Sequence, residues 1–348
     1  MTKLEQHLIQ ETEPLSKALS KLNDLAQNAL LFLVNERNQV TGSLTDGDVR
    51  RGILKNLTVD DEVINFANKN PKTLSKENYS IHEIIALRED NIKIIPVVNA
   101  KNEILSLINF KAQKSYLPLD AIVMAGGRGR RLSPLTDTVP KPLLKVGDKP
   151  IIDHNIDRLR DFGIDDYHIS VRYLGQMLET HFEKSIRPGE TINIVWENDP
   201  LGTIGAVSNI EEFHHDHLLL TNSDILTRID YEDFFLHFLE NEADMSVASI
   251  PYQVDVPYAV MEISKERVVS FKEKPTYTYY SNGGIYLMKR ELIDLIPKNQ
   301  FFNATDLMDV LIKSDKKLIT YPLHKYWLDI GKHEDFKKAK EDVVHLDF

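Results

Sequence analysis

Residues 120–146 read DAIVMAGGRGRRLSPLTDTVPKPLLKV, and they constrain the fold more than any other stretch of the 348-residue chain. A strand-length apolar run meets a loop that gathers three glycines and three arginines. Glycines without Cβ atoms let backbone N–H groups approach an anion, and arginines add bidentate bonds, so the loop is suited to phosphate. After it, apolar strands (YHISV, INIVWE, HLLLTNSD) alternate with amphipathic helical patterns (IIDHNIDRLRDFG, GQMLETHFEK, GAVSNIEEF). That order predicts a mixed, mostly parallel α/β sheet flanked by helices, with ligands beyond the C-terminal strand ends. The glycine loop follows the first strand, so it stands where a ligand belongs. It is neither a Walker A loop nor a complete dinucleotide fingerprint, because Leu132 occupies the place of the third glycine of G-x-G-x-x-G.

The rest of the composition narrows the function. A net charge of -11 argues against general nucleic-acid binding, which needs broad basic surface. No cysteine is present, which removes disulfides and thiolate metal sites and fits a reducing compartment. The first residues, MTKLEQHLIQETEP, lack a signal-peptide core, and no apolar run reaches membrane-spanning length. A soluble, cytoplasmic protein is expected. At this length two domains are expected, 1–116 and 117–348.

The first of these carries an internal repeat. LLFLVNERNQVTGSLTDGD (30–48) aligns with IIPVVNAKNEILSLINFKA (94–112), matching Asn35 to Asn99 and Asn38 to Asn102. Each copy is a strand, an Asn turn and a strand, and helical patterns surround them. This duplicated unit resembles the tandem cystathionine-β-synthase (CBS) module, an α+β regulatory domain that often binds adenine nucleotides. The resemblance implies a nucleotide contact at Gly42, Thr45 and Asp48. The second copy reads Ser106, Asn109 and Ala112 there and has lost the acid. Asp46 and Asp48 are also suited simply to begin a helix.

Over residues 119–345 the chain resembles the sugar-phosphate nucleotidylyltransferases, in the branch that includes mannose-1-phosphate guanylyltransferases. The family signature GGxGTRLxPLT…PKPL is met at Gly126, Gly127, Gly129, Arg131, Leu132, Pro134, Leu135, Thr136 and 140–143, with Arg130 in place of the usual Thr. PLGTIGA, LLLTNSD, FKEKP, NGGIY and YWLDIGKHEDF follow in the family order. The resemblance implies a glycosyltransferase-A-like, Rossmann-like fold. It implies nucleotide binding by Ala125, Gly126, Gly127, Gly129, Arg131, Gly202 and Thr203, with Glu197 as a further base-side candidate. It implies sugar contacts from Glu273, Lys274, Asn282 and Gly283, catalysis by Arg131, Lys141 and Asp224, and a magnesium ion between Asp224 and Asp329.

The implied reaction joins a nucleoside triphosphate, GTP favoured, to a sugar 1-phosphate. A nucleotide-sugar-dependent glycosyltransferase and a silent nucleotide-sensing regulator are the competing classes. Asp224 and Asp329 are each also placed to cap a following helix. The HHDH run at 214–217 is expected to be a solvated loop, and YTYY at 277–280 a strand-edge or interface patch. Both resembled families often self-associate, so a homo-oligomer is expected.

Overall fold

A computed structural model describes residues 4–346, which fall into two compact units. One comprises Met1–Pro118 with Asp161–Gly163, and the other comprises Leu119–Arg160 with Ile164–Phe348.

The first unit is built twice from one plan. Its first half runs β1 (Leu8–Gln10), α1 (Leu15–Leu25), β2 (Leu30–Val34), β3 (Val40–Thr45) and α2 (Asp46–Ile53). The second half runs β4 (Leu74–Ser75), α3 (Ile81–Glu89), β5 (Ile94–Val98) and β6 (Ile104–Asn109), and no helix follows β6 as α2 follows β3. Each half forms a three-stranded sheet, ordered β1-β2-β3 and β4-β5-β6. The two turns are near copies. Asn35 Oδ1 accepts the N–H of Arg37 and Gln39, as Asn99 Oδ1 accepts those of Lys101 and Glu103, while Asn38 and Asn102 both take positive φ. The halves also exchange backbone bonds, Val40 N–H to Asn102 and Ile104 N–H to Asn38. Short side-chain amides at left-handed positions explain why the Asn pairs were legible as a repeat.

The second unit runs β7 (Asp120–Met124), a two-residue hairpin of β8 (Lys145–Val146) and β9 (Lys149–Pro150), α4 (Ile151–Asp161), β10 (Asp166–Val171), α5 (Gly175–Ser185) and β11 (Thr191–Trp196). It continues with β12 (His217–Asn222), β13 (Ile225–Thr227), α6 (Tyr231–Glu240), β14 (Met245–Asp255), β15 (Val260–Ser264), β16 (Arg267–Lys272), β17 (Thr276–Lys289), α7 (Ala304–Lys313), β18 (Leu318–Pro322), β19 (Trp327–Asp329) and α8 (His333–Asp342).

The main sheet has the order β11-β10-β7-β12-β17-β14-β18. Only β17 runs against its neighbours. Every residue of β10 is buried, including the polar Asp166, His168 and Ser170, as a strand of a sheet covered on both faces requires. Ile122, Leu220, Met245 and Tyr286 from the sheet pack with Leu307 and Leu311 of α7 in one apolar cluster. GAVSNIEEF departs from the helix its spacing predicts. It makes only a 3-10 turn at Gly205–Asn209, and Gly205 packs so closely that a Cβ there would come 2.7 Å from the Gln300 carbonyl. Among the described residues no helix is long and apolar enough to cross a membrane.

Candidate active site

Strands β7 and β12 are neighbours, with β10 and β11 lying on one side of the pair and β17 on the other. The chain therefore reverses its winding between them, and the loops after both strands open into one crevice. This cleft, about 410 Å³, is lined by the residues after β7, by Lys141, by the 200–203 loop and by 222–224 after β12.

Two glycines there are fixed by close approach. A Cβ at Gly126 would lie 2.6 Å from Glu197 Oε1, and one at Gly202, whose φ is +80°, would lie 2.5 Å from the Phe302 carbonyl. Glu197 is buried and accepts bonds from the Ser170 hydroxyl and, at 3.2 Å, from the Leu201 N–H. One carboxylate thus underlies the β7 loop and holds the 201–205 loop beside it. Thr203 anchors that second loop to the start of α7, its hydroxyl accepting the Ala304 N–H at 2.9 Å. Ala125, Gly127 and Gly129 line the cleft, and nothing would meet a Cβ at Gly127, which faces open space.

Lys141 begins a short 3-10 turn, is 8% exposed, and forms an ion pair with Asp224. Strand β13 pairs with β19, setting Ile225 opposite Asp329, and the Ile330 N–H bonds to the Asp224 carbonyl at 3.0 Å. Two carboxylates more than 100 positions apart in sequence are thereby brought side by side. Burial pushes the Asp329 carboxyl above its ordinary range and Asp224 adds repulsion, while Lys141 and Arg131 pull it back only in part. Asp329 Oδ1 is buried without a hydrogen-bond partner. Neither aspartate caps a helix: Asp230 caps α6, and Asp335 closes the box at the start of α8. A lone-pair-rich, oxygen-only pair with one buried orphan oxygen fits a hard divalent cation.

The loop arginines divide. Arg128 leaves the cleft and lies 4.9 Å over the Tyr173 ring. Arg130 and Arg131 both line the cleft, and the Arg131 guanidinium lies against Gly331. Sequence reasoning missed Arg172, which lines the same cleft and whose Nε is buried without a hydrogen-bond partner. Its position one residue past β10, at a C-terminal strand end, was the available signal.

The residues expected on the sugar side are not all gathered. Glu273 and Lys274 are exposed on a ribbon formed by β14–β17 and are not among the cleft-lining residues. Asn282 and Gly283 lie nearer, at the root of that ribbon, where Trp327 Nε1 of β19 donates to the Gly283 carbonyl at 2.9 Å. Sequence proximity to NGGIY could not reveal that β14 and β17 stay paired out to Asp255 and Thr276.

Gly42, Thr45 and Asp48 belong to the other unit. Thr45 and Asp48 form a capping box at the start of α2, and Arg51 pairs with the same carboxylate. The HHDH run is exposed at His214 and Asp216, as in a solvated loop, but it is also tied down. His214 and His215 donate backbone N–H groups to buried Asp120, and His214 Nδ1 lies 2.9 Å from Asp166 Oδ1. This cluster sits at the N-terminal ends of β7 and β10, the opposite end of those strands from the cleft.

The family model described as "Nucleotidyl transferase" matches residues 120–345. A mannose-1-phosphate guanylyltransferase of Mycobacterium tuberculosis is 31% identical over 234 residues, covering 65% of this chain and 65% of its own length. A D-glycero-α-D-manno-heptose 1-phosphate guanylyltransferase of Aneurinibacillus thermoaerophilus is 29% identical over 65% of this chain and 99% of its own. The crystal structure of HddC from Yersinia pseudotuberculosis is similar at a TM-score of 0.50 and 27% identity, covering 64% of this chain and 99% of that one.

Proposed function

The chain belongs to the nucleotidyl transferase family, and on that premise we propose that it joins a nucleoside triphosphate, GTP in preference, to a sugar 1-phosphate with release of pyrophosphate. The observation that carries this is a cleft that gathers the glycine loop, Arg130, Arg131, Lys141 and Asp224, with Asp329 brought beside Asp224 by the pairing of β13 with β19. The nucleophile is a phosphate monoester, largely a dianion at neutral pH because its second pKa is about 6, so no general base is needed. The obstacle is repulsion between two anions. Arg131 and the loop N–H groups would hold the triphosphate, with Arg130 and Arg172 adding charge, and Lys141 would stand between the α-phosphate and the incoming phosphate. Asp224 and Asp329 would hold magnesium, which neutralises phosphate charge when bound.

The guanine preference rests on Glu197 and on the named activities of the relatives. A carboxylate only accepts, which suits the adjacent N1–H and N2–H₂ donors of guanine better than the acceptor-donor-acceptor edge of uracil or thymine. Pyrophosphate release across four nucleoside triphosphates and a panel of hexose, heptose and amino-sugar 1-phosphates tests the whole proposal. No release with any pair rejects it. Glu197→Gln is expected to lower kcat/KM for GTP by roughly tenfold or more, and to lower it less for inosine triphosphate, which lacks the N2 amine. An equal loss for both would leave Glu197 as a brace for Leu201 and no more.

We further propose that the duplicated unit is a CBS-type regulatory module that takes an adenine nucleotide at Gly42, Thr45 and Asp48, exchanging capping-box bonds for ribose hydroxyls. Millimolar AMP, ADP or ATP added to the full chain should change pyrophosphate release several-fold. Unchanged rates and no binding heat with all three discard it.

A further inference from the structure

The N-terminal ends of β7 and β10 gather side chains for which the proposed reaction has no use. Asp120 of β7 stands in register with Asp166 of β10, and His168 follows Asp166 by two positions, so all three share one face of the sheet. All three are buried, Asp120 and Asp166 to within 1%. His214, in the loop before β12, joins them, and its Nδ1 lies 2.9 Å from Asp166 Oδ1. A carboxylate oxygen from each of Asp120 and Asp166 and a ring nitrogen of His214 lie within 4.8 Å of one another. Neighbouring residues of a single turn rarely converge on an ion, but here two strands and a loop supply the donors.

Hydrogen bonding accounts for only part of this cluster. The Asp120 oxygens accept the N–H of His214 at 3.2 Å and of His215 at 2.7 Å, and Asp166 faces the imidazoles of both. His168 is left out. Its Nδ1 is buried without a hydrogen-bond partner, and its Nε2 is aimed at Asp120 Oδ1 from 3.6 Å, too far for a hydrogen bond. A buried imidazole in that state is costly, and carboxylates sealed side by side on adjacent strands call for a cation. One dication held among them answers both.

The donor set selects the ion. Imidazole nitrogens together with carboxylates suit zinc, whereas magnesium and calcium take oxygen ligands. Zinc bonds of about 2.0–2.1 Å put neighbouring donors of a tetrahedral site about 3.3 Å apart. The contacts of 2.9 Å to Asp166 and 3.6 Å to Asp120 straddle that spacing. The His214 side chain is 45% exposed and opens a way in from solvent.

We propose that Asp120, Asp166, His168 and His214 bind one zinc ion, a structural site that fastens the loop before β12 to the base of the sheet. Strands β7 and β12 run parallel, so this site lies at the opposite end of the sheet from Asp224 and is independent of the reaction proposed above.

Calorimetric titration of zinc into the untagged, metal-stripped full chain, under saturating magnesium, tests it. The wild-type chain should take up one zinc, and Asp224→Asn should bind it equally well. His214→Ala, at a partly exposed position, should weaken binding by roughly 100-fold or more, since losing even a residue that only orients a ligand costs about 10- to 100-fold. His168→Phe keeps a ring against Phe213, removes both nitrogens and should weaken binding likewise. Zinc should raise the thermal midpoint of the wild-type chain and leave that of His214→Ala unmoved. A wild-type chain that takes up no zinc overturns the site, as does binding unweakened in either histidine variant. Binding lost in Asp224→Asn would place the ion in the cleft and overturn it too.

Discussion

Asp329→Asn is expected to lower magnesium-dependent pyrophosphate release by on the order of 100-fold or more without weakening the fold. Its carboxylate is partly buried, lies beside Asp224, and has one oxygen with no hydrogen-bond partner. Those features make the ionised form costly in the free protein, so nothing in folding favours a carboxylate here over an amide. Asparagine keeps the shape, removes a negative charge from the pair, and relieves the repulsion. The thermal midpoint should therefore stay level or rise while turnover collapses. Asp224→Asn should cut turnover comparably, but it also removes the partner of Lys141, so its midpoint should not rise. Turnover under saturating magnesium, set beside melting curves with the metal chelated, separates the two effects. Near wild-type turnover in either variant would remove the metal role from both residues.

Much of this site was legible because local chemistry and sequence order agree there. The apolar run before GGRGRR reads as a strand and is one, and the loop after a strand of a parallel sheet faces the ligand side. The pairing of Asp224 with Asp329 was legible only through motif order, since no local pattern reveals that β13 and β19 become neighbours. Three features were hidden for one reason, that they depend on what packs from elsewhere. Gly202 is required by the Phe302 carbonyl, about 100 positions away. HHDH folds onto Asp120 and Asp166 because two buried carboxylates on adjacent strands collect backbone N–H and imidazole donors. FKEKP looked local to the sugar site, yet a ribbon's direction is set by how far two strands stay paired, which no residue type announces.

Lys141→Met should be the other most damaging substitution, and its effect should appear in two observables with different magnesium dependence. Lys141 is buried, lines the cleft with the loop after β7, and its ammonium pairs with Asp224. Methionine keeps the length and removes the charge. Turnover should fall on the order of 100- to 1,000-fold, mostly in kcat, because the lost attraction grows as negative charge builds between the two phosphates. Without metal, the substitution also leaves Asp224 and Asp329 side by side with their nearest cation gone. That should cost about 1–3 kcal/mol of stability, less than for a fully buried pair because Asp224 is a quarter exposed. Magnesium should restore most of this stability, since it binds the folded pair and not the unfolded chain, yet it should not restore turnover. Lys141→Arg keeps a charge with a different reach and should retain stability while losing most activity. If magnesium repaired both properties of Lys141→Met, the lysine would be a counter-charge for the aspartates alone, and the phosphate role assigned to it would fall.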